Sequence, residues 1–153
     1  MKNISLSQEV KTIVRGMVSN AAKFKLEVLT TFLLFDSMMS QKQFSSLIAK
    51  YSSCNLEGII NLIENIYKNN PFGFNEKEVE TIEERDYFIS VLKDSDIDNP
   101  QNFIFSQWIA NVFFFAYILV ESDEEQELTL SHLTLALFNN LNDQMLSFFT
   151  DIG

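Results

Sequence analysis

One histidine and one cysteine have the side chains best suited to catalysis or metal binding in this sequence. His132 lies in a short apolar segment, and Cys54 lies where a helix is expected to begin. One interpretation makes His132 a general base or a metal ligand and Cys54 a reactive thiolate. A single histidine and a distant cysteine do not complete a catalytic triad or a zinc site. We therefore interpret both as packed structural residues.

Two acidic clusters contain the residue types that bind cations. Acids alternate in residues 94–98, and two more are adjacent at positions 124–125. A calcium loop also needs Gly at its sixth position and Glu at its twelfth. Counted from Asp94, these positions hold Asn99 and Phe105. The four glycines form neither a phosphate-binding nor a dinucleotide-binding pattern. The sequence therefore predicts no catalytic residue, no metal site and no cofactor.

Length and composition favour one soluble helical domain over residues 1–153. Low Gly and Pro content, with Leu, Ile and Phe at spacings of three and four residues, indicates an all-α fold. A single cysteine excludes an internal disulfide. The chain begins with Met1 and a polar segment instead of a secretory signal, so a cytoplasmic location is expected.

The net charge of −10 is unevenly distributed. Residues 1–70 contain eight bases and five acids, whereas residues 94–153 contain ten acids and no base. Nucleic acid is an unsuitable partner because its affinity comes mainly from Lys and Arg on phosphates. The acids are interpreted first as a solubilising surface and, as an alternative, as a surface that covers a basic protein.

The longest uncharged stretch, residues 103–120, is expected to form the central buried helix. It has the minimum length for a membrane span, but Gln107 and Asn111 lie on one face and no basic residue flanks it. A buried helix is therefore preferred to a membrane helix. Other helices are expected to begin after Ser5, Thr30 and Asn55 and at Thr129, and a short acidic one is expected between Asn75 and Val91.

An internal repeat divides the chain. Residues 29–55 align loosely with residues 128–153, and each follows a long helix. We expect two four-helix repeats related by a pseudo-twofold axis, at about 5–70 and 103–153, joined by an acidic linker at about 71–102. The closing helix at residues 56–68 has no counterpart in the second repeat, which suggests that these residues head a longer polypeptide.

Residues 128–138, Leu-Thr-Leu-Ser-His-Leu-Thr-Leu-Ala-Leu-Phe, resemble a motif of the N-terminal domain of the Clp/Hsp100 AAA+ unfoldases. Residues 31–35 take the same place in the first repeat, with Phe32 where the family has His, and Ser53–Leu56 resembles the turn before the closing helix. The resemblance covers nearly the whole chain. In one branch of the family, the acidic residue before each motif His binds phosphoarginine. Those positions are Thr31 and Ser131 here, so that chemistry is not expected.

The resemblance implies a non-catalytic module that docks an adaptor or substrate protein for a hexameric AAA+ unfoldase. The long acidic linker suggests a divergent branch, such as the disassembly ATPases of contractile secretion systems, by analogy alone. The alternative is a stand-alone acidic interaction protein, such as an inhibitor, immunity protein or adaptor. In both cases the expected partner is a protein or peptide.

The aromatic residues provide the candidates for binding. Phe113, Phe114 and Phe115 are consecutive, so they spread around a helix and not all of them can face one core. Phe148 and Phe149 lie beside the place where the second repeat lacks its last helix. An exposed aromatic patch is typical of a protein-binding groove, so these two residues are the predicted binding residues.

Overall fold

The computed structural model describes residues 4–69, 77–141 and 143–151. Within these residues the chain is predominantly helical, and the predicted all-α class is confirmed. The helices are α1 (Gln8–Lys23), α2 (Thr31–Met38), α3 (Lys42–Tyr51), α4 (Leu56–Asn69), α5 (Ile82–Asp94), α6 (Gln107–Ser122), α7 (Leu130–Phe138) and α8 (Asp143–Asp151). None of the helices in this part of the chain is long and apolar enough to cross a membrane.

Short strands of two residues each connect the two halves of the chain. Those in the described ranges are β1 (Ser5–Leu6), β2 (Val28–Leu29), β3 (Ile104–Phe105) and β4 (Glu127–Leu128). β1 pairs in parallel with β4, and β2 pairs in parallel with β3. The first pair therefore joins the strand before the long helix α1 to the strand before the short helix α7. The second joins the strand before the long helix α6 to the strand before the short helix α2.

Helix α6, which contains most of the uncharged stretch, lies in the core, as its sequence predicts, and packs against α5 and α7. Phe113 is fully buried, whereas Phe114 and Phe115 are only partly buried, as expected for three consecutive aromatic residues. The predicted start at residue 103 is wrong. The helix begins at Gln107, because residues 104–105 pair with β2 and the Ser106 hydroxyl accepts the Ile109 N–H at 3.1 Å.

The segment before α5 is extended, so the helix predicted from residue 75 begins only at Ile82; Asn75 itself lies outside the described residues. Glu78 forms an antiparallel bridge to Ser106. The Gln107 side-chain carbonyl accepts the N–H groups of Glu80 at 2.8 Å and Thr81 at 3.1 Å. A residue of α6 therefore satisfies backbone donors at the start of α5, a contact that local spacing does not reveal.

Side-chain caps define several helix starts. The Thr30 hydroxyl caps α2 and the Asn55 carbonyl caps α4, both as predicted. For α1 the predicted cap, Ser5, is wrong, because Ser5 belongs to β1 and Ser7 accepts the Val10 N–H at 3.3 Å. These side chains satisfy backbone N–H groups at the helix starts, and the helices pack their apolar faces into the core.

Candidate functional site

His132 has a structural role in the capping box of α7. The Thr129 N–H donates to Nδ1 of His132 at 3.1 Å, while the Thr129 side chain caps the backbone at His132. A backbone N–H can only donate, so Nδ1 is the unprotonated nitrogen of the neutral ring and Nε2 carries the proton. The ring is buried, and Nε2 lies 3.6 Å from the Glu125 carboxylate.

Asp123, Glu125 and His132 are close enough for a shared cation, with ligand atoms within 4.8 Å of one another. The protonated Nε2 has no free lone pair while the capping box is formed, so His132 is not available as a ligand. Two exposed carboxylates remain, a number that is common on protein surfaces. The cluster is therefore a weak metal site.

Cys54 is half-buried in the turn between α3 and α4. Its N–H donates to the Ser52 hydroxyl at 3.2 Å, and that hydroxyl donates to the Cys54 carbonyl at 2.7 Å. These bonds use the backbone of Cys54, and its side chain packs against the core. The arrangement is that of a turn residue, in agreement with the structural interpretation.

A polar hollow beside α4 contains the one described carboxyl group whose pKa is clearly shifted. Burial raises the pKa of Asp36, and the nearby Tyr67 hydroxyl opposes that shift. The Asn20 amide donates to Asp36 Oδ2 at 3.1 Å. The Tyr67 hydroxyl is itself buried without a hydrogen bond of ordinary geometry to the described residues, and burial raises its pKa as well. Because this hydroxyl is inaccessible, it does not present a ligand-binding group.

An apolar groove separates α3 from α7 and α8. It consists of a hollow of about 480 Å³ and a second of about 240 Å³ that share Leu47. The first is lined by Leu47, Ile48, Tyr51, Ser52, Phe138, Leu141 and Phe149, and the second by Gln43, Leu47, Leu130, Ser131, Thr134 and Leu135. Several large side chains of the groove remain exposed: Leu47 by 40%, Tyr51 by 70%, Leu135 by 55% and Phe138 by 38%.

The two predicted binding residues have different positions relative to this groove. Phe149 lines it, and its ring lies 5.3 Å from that of Phe138. Phe148 is buried instead, with its ring 5.6 Å from Phe32 and 5.4 Å from Phe35. Phe149 is therefore a groove residue, and Phe148 is a core residue that supports it from behind.

The groove occurs where α7 lacks the cover that α2 has. Tyr67 of α4 stacks on Phe24 at 4.1 Å between ring centroids and lies 5.3 Å from the Phe32 ring. Tyr67 also shares a hollow with Asp36 and Met39, at the end of α2. Counted from the Thr30 and Thr129 caps, the positions on α7 that match Phe32, Asp36 and Met39 are Ser131, Leu135 and Phe138. All three are exposed.

The caps agree with the alignment in which residue 29 lies opposite residue 128. Leu33 donates its N–H to the Thr30 hydroxyl, which is the position that His132 has relative to Thr129. This alignment places Leu33 opposite His132 and Phe32 opposite Ser131. The family resemblance instead placed Phe32 and Thr31 at these two positions, a difference of one residue. Neither Phe32 nor Ser131 carries a carboxylate.

Neither a protein-family model nor a curated protein sequence matches this chain.

Most residues of the groove were not predictable as binding residues from the sequence. Leu135 and Phe138 have the spacing of buried residues on α7, and Leu47 and Tyr51 have it on α3. Periodicity marks an apolar face but does not reveal whether another helix covers that face.

Proposed function

We propose that this chain is a protein-binding module that docks a helical segment of an adaptor or substrate protein in the apolar groove. The observation that supports it most is the exposed face of α7, whose equivalent on α2 is covered by α4. A helix laid into a groove buries its apolar face at i, i+3 and i+4, which is a common recognition mode. The module binds and performs no catalysis in this proposal.

A correspondence between the halves supports this comparison of α2 with α7. α1 and α6 each have 16 residues, and each is capped by a serine, Ser7 or Ser106. The same separation of 99 residues relates Ser7 to Ser106 and Thr30 to Thr129. It also matches buried positions across the halves: Val10 with Ile109, Ile13 with Val112, Val14 with Phe113, Met17 with Ala116, and Leu34 with Leu133.

We also propose that the module serves an AAA+ unfoldase of the Clp/Hsp100 type. Two features support this assignment: a long helix is followed by a short one in each half, and residues 128–138 resemble the family motif. The positions of Phe32 and Ser131 lack the carboxylates of the phosphoarginine-binding branch, which is consistent with a divergent member. The alternative is a stand-alone interaction protein, which the concentration of acids after Lys93 favours.

Selection from a random peptide library tests the binding function. The bait proteins are the wild type, the Leu47→Asn/Leu135→Asn variant and an Ile118→Asn control. Ile118 is also a large exposed apolar residue, 47% exposed, but it lies on α6 outside the groove. Because all three side chains are exposed, both variants are expected to fold, and circular dichroism checks this.

Enriched peptides are expected to bind the wild type and Ile118→Asn equally. Their affinity for Leu47→Asn/Leu135→Asn is expected to fall about tenfold or more, since two apolar contacts are lost. Failure to enrich any peptide, or equal binding to the groove variant, would overturn the proposal.

A further inference from the structure

Two of the three helices that line the apolar groove contain no acidic residue. No acid occurs between Asp36 and Glu57, a segment that includes α3 with Lys42 and Lys50. Residues 128–142, which include α7, contain neither acid nor base apart from His132. The third helix, α8, begins and ends with an aspartate, so the positive charge at the groove comes from α3.

Lys50 brings its charge to one end of the groove. Its Nζ lies over the Tyr51 ring, 5.4 Å from the ring centroid, and Tyr51 lines the larger hollow. Lys50 follows Leu47 by three residues, so the two side chains are neighbours on one side of α3. Among the described residues Lys50 forms no ion pair. An unpaired ammonium group beside an apolar hollow is complementary to an acidic side chain.

Two acids close to α7 do not line the groove. Glu125 and Asp123 approach His132 near the start of α7, whereas Phe138 and Tyr51 line the larger hollow at its end. His132 and Phe138 are six residues apart, or roughly 9 Å along a helix axis. Lys50 therefore lies at the end of the groove that is farther from these two acids.

We infer that the groove binds an apolar protein segment with an acidic side chain at one end, which pairs with Lys50 beside Tyr51. This inference rests on the proposed protein-binding function and adds the charge and direction of the bound segment. It is opposite to the expectation from net charge alone, which would predict a basic partner.

The same peptide selection tests the inference with two further baits, Lys50→Glu and Lys93→Glu. Lys93 is the matched control because it lies in the last turn of α5, as Lys50 lies in the last turn of α3. Both changes reverse one charge next to a helix C-terminus, so their effects on helix stability and net charge are alike.

Peptides enriched by the wild type and by Lys93→Glu are expected to carry Asp or Glu at one end of their apolar motif. Lys50→Glu is expected to lose this preference, and to bind the wild-type peptides several-fold more weakly at low salt. Replacing the acid of an enriched peptide by Gln should then lower its affinity for the wild type but not for Lys50→Glu.

Groove-dependent peptides with no acidic preference, or with a preference unchanged in Lys50→Glu, would overturn the inference and leave the binding function standing. Peptides that bind the Leu47→Asn/Leu135→Asn variant as well as the wild type would instead overturn the binding function. The two failures are thus distinguishable.

Discussion

Lys25 and Glu124 have the same left-handed backbone conformation, with φ of 56° and 58°, just after the ends of α1 and α6. The following residue closes each turn in the same way: Leu26 N–H donates to the Ala21 carbonyl at 2.8 Å, and Glu125 N–H donates to the Val120 carbonyl at 3.1 Å. α5 ends in the same way, with Asp96 at φ 62° and the Ile97 N–H donating to the Leu92 carbonyl at 3.1 Å, so this is a common left-handed helix end in which glycine would be unstrained.

Lys25→Gly and Glu124→Gly should each stabilise the protein by about 0.5–1 kcal/mol, because glycine has no Cβ to oppose a positive φ. Chemical denaturation followed by the fluorescence of Trp108, the single tryptophan, measures the effect. Lys11→Gly, inside α1, is the control and should destabilise by about 1 kcal/mol. Destabilisation by both of the first two changes would contradict the strain assigned to Lys25 and Glu124.

Gly16→Ala should destabilise the contact between α1 and α2. An added Cβ would lie 2.6 Å from the Ser37 hydroxyl, which already donates to the Ile13 carbonyl. We expect a loss of about 1–2 kcal/mol, since overpacking outweighs the better helix propensity of alanine.

The double variant Gly16→Ala/Ser37→Ala provides the control for this contact. It removes the obstructing hydroxyl and leaves the two Cβ atoms about 3.7 Å apart, an ordinary contact. The double variant should therefore be more stable than the sum of the two single changes predicts. Simple additivity of the two effects would show that the clash is absent.

Asp36→Asn should change how stability depends on pH. Burial raises the pKa of Asp36 above its usual 3.8, so the folded protein holds this proton to higher pH than the unfolded chain does. Ionisation of Asp36 consequently destabilises the fold increasingly as pH rises above 3.8 through the folded pKa. The asparagine side chain would keep an acceptor for the Asn20 amide without becoming charged.

Denaturation of the wild type and Asp36→Asn across that pH range measures the difference. The Asp36→Asn variant should gain stability relative to the wild type as pH rises. Glu27→Gln removes one negative charge at an exposed position and is the charge-matched control. A difference that is constant with pH would contradict the account of Asp36.

His132→Gln should retain most of the stability of the wild type, whereas His132→Ala should lose about 1 kcal/mol. Glutamine at this position accepts the Thr129 N–H in a capping box, and alanine cannot. Thermal unfolding compares the two variants. Equal losses in both would indicate that the imidazole ring, and not the cap, is what α7 requires.

Much of the fold followed from local sequence patterns. The Thr30 and Asn55 caps were predictable because each depends on neighbours within a few residues, and the burial of α6 was predictable from its long uncharged stretch. The extended segment at residues 77–81 was not, because Gln107 holds it from a distant part of the chain. Similarly, Ser5 has the spacing of a cap, but its pairing with Glu127 places it in a strand.

The candidate site was predictable only in part. Phe149, one of the two candidate binding residues, lines the groove, and its role in binding stays a prediction. The sequence does not show that Phe148 is buried and Phe149 faces the groove, because the two residues are adjacent and identical in type. Only their contacts with other helices distinguish them. Nothing in the sequence indicates that Lys50 lies beside the groove, because that position depends on the helices that face α3.

The most direct test of the binding function is an NMR titration of the ¹⁵N-labelled protein with an enriched peptide. If the groove is the binding site, the largest chemical-shift changes will map to Leu47, Tyr51, Leu135 and Phe138 and will disappear in the Leu47→Asn/Leu135→Asn variant. Largest changes at the acidic residues 121–127, with the groove unaffected, would contradict it and favour a partner that binds the acidic surface.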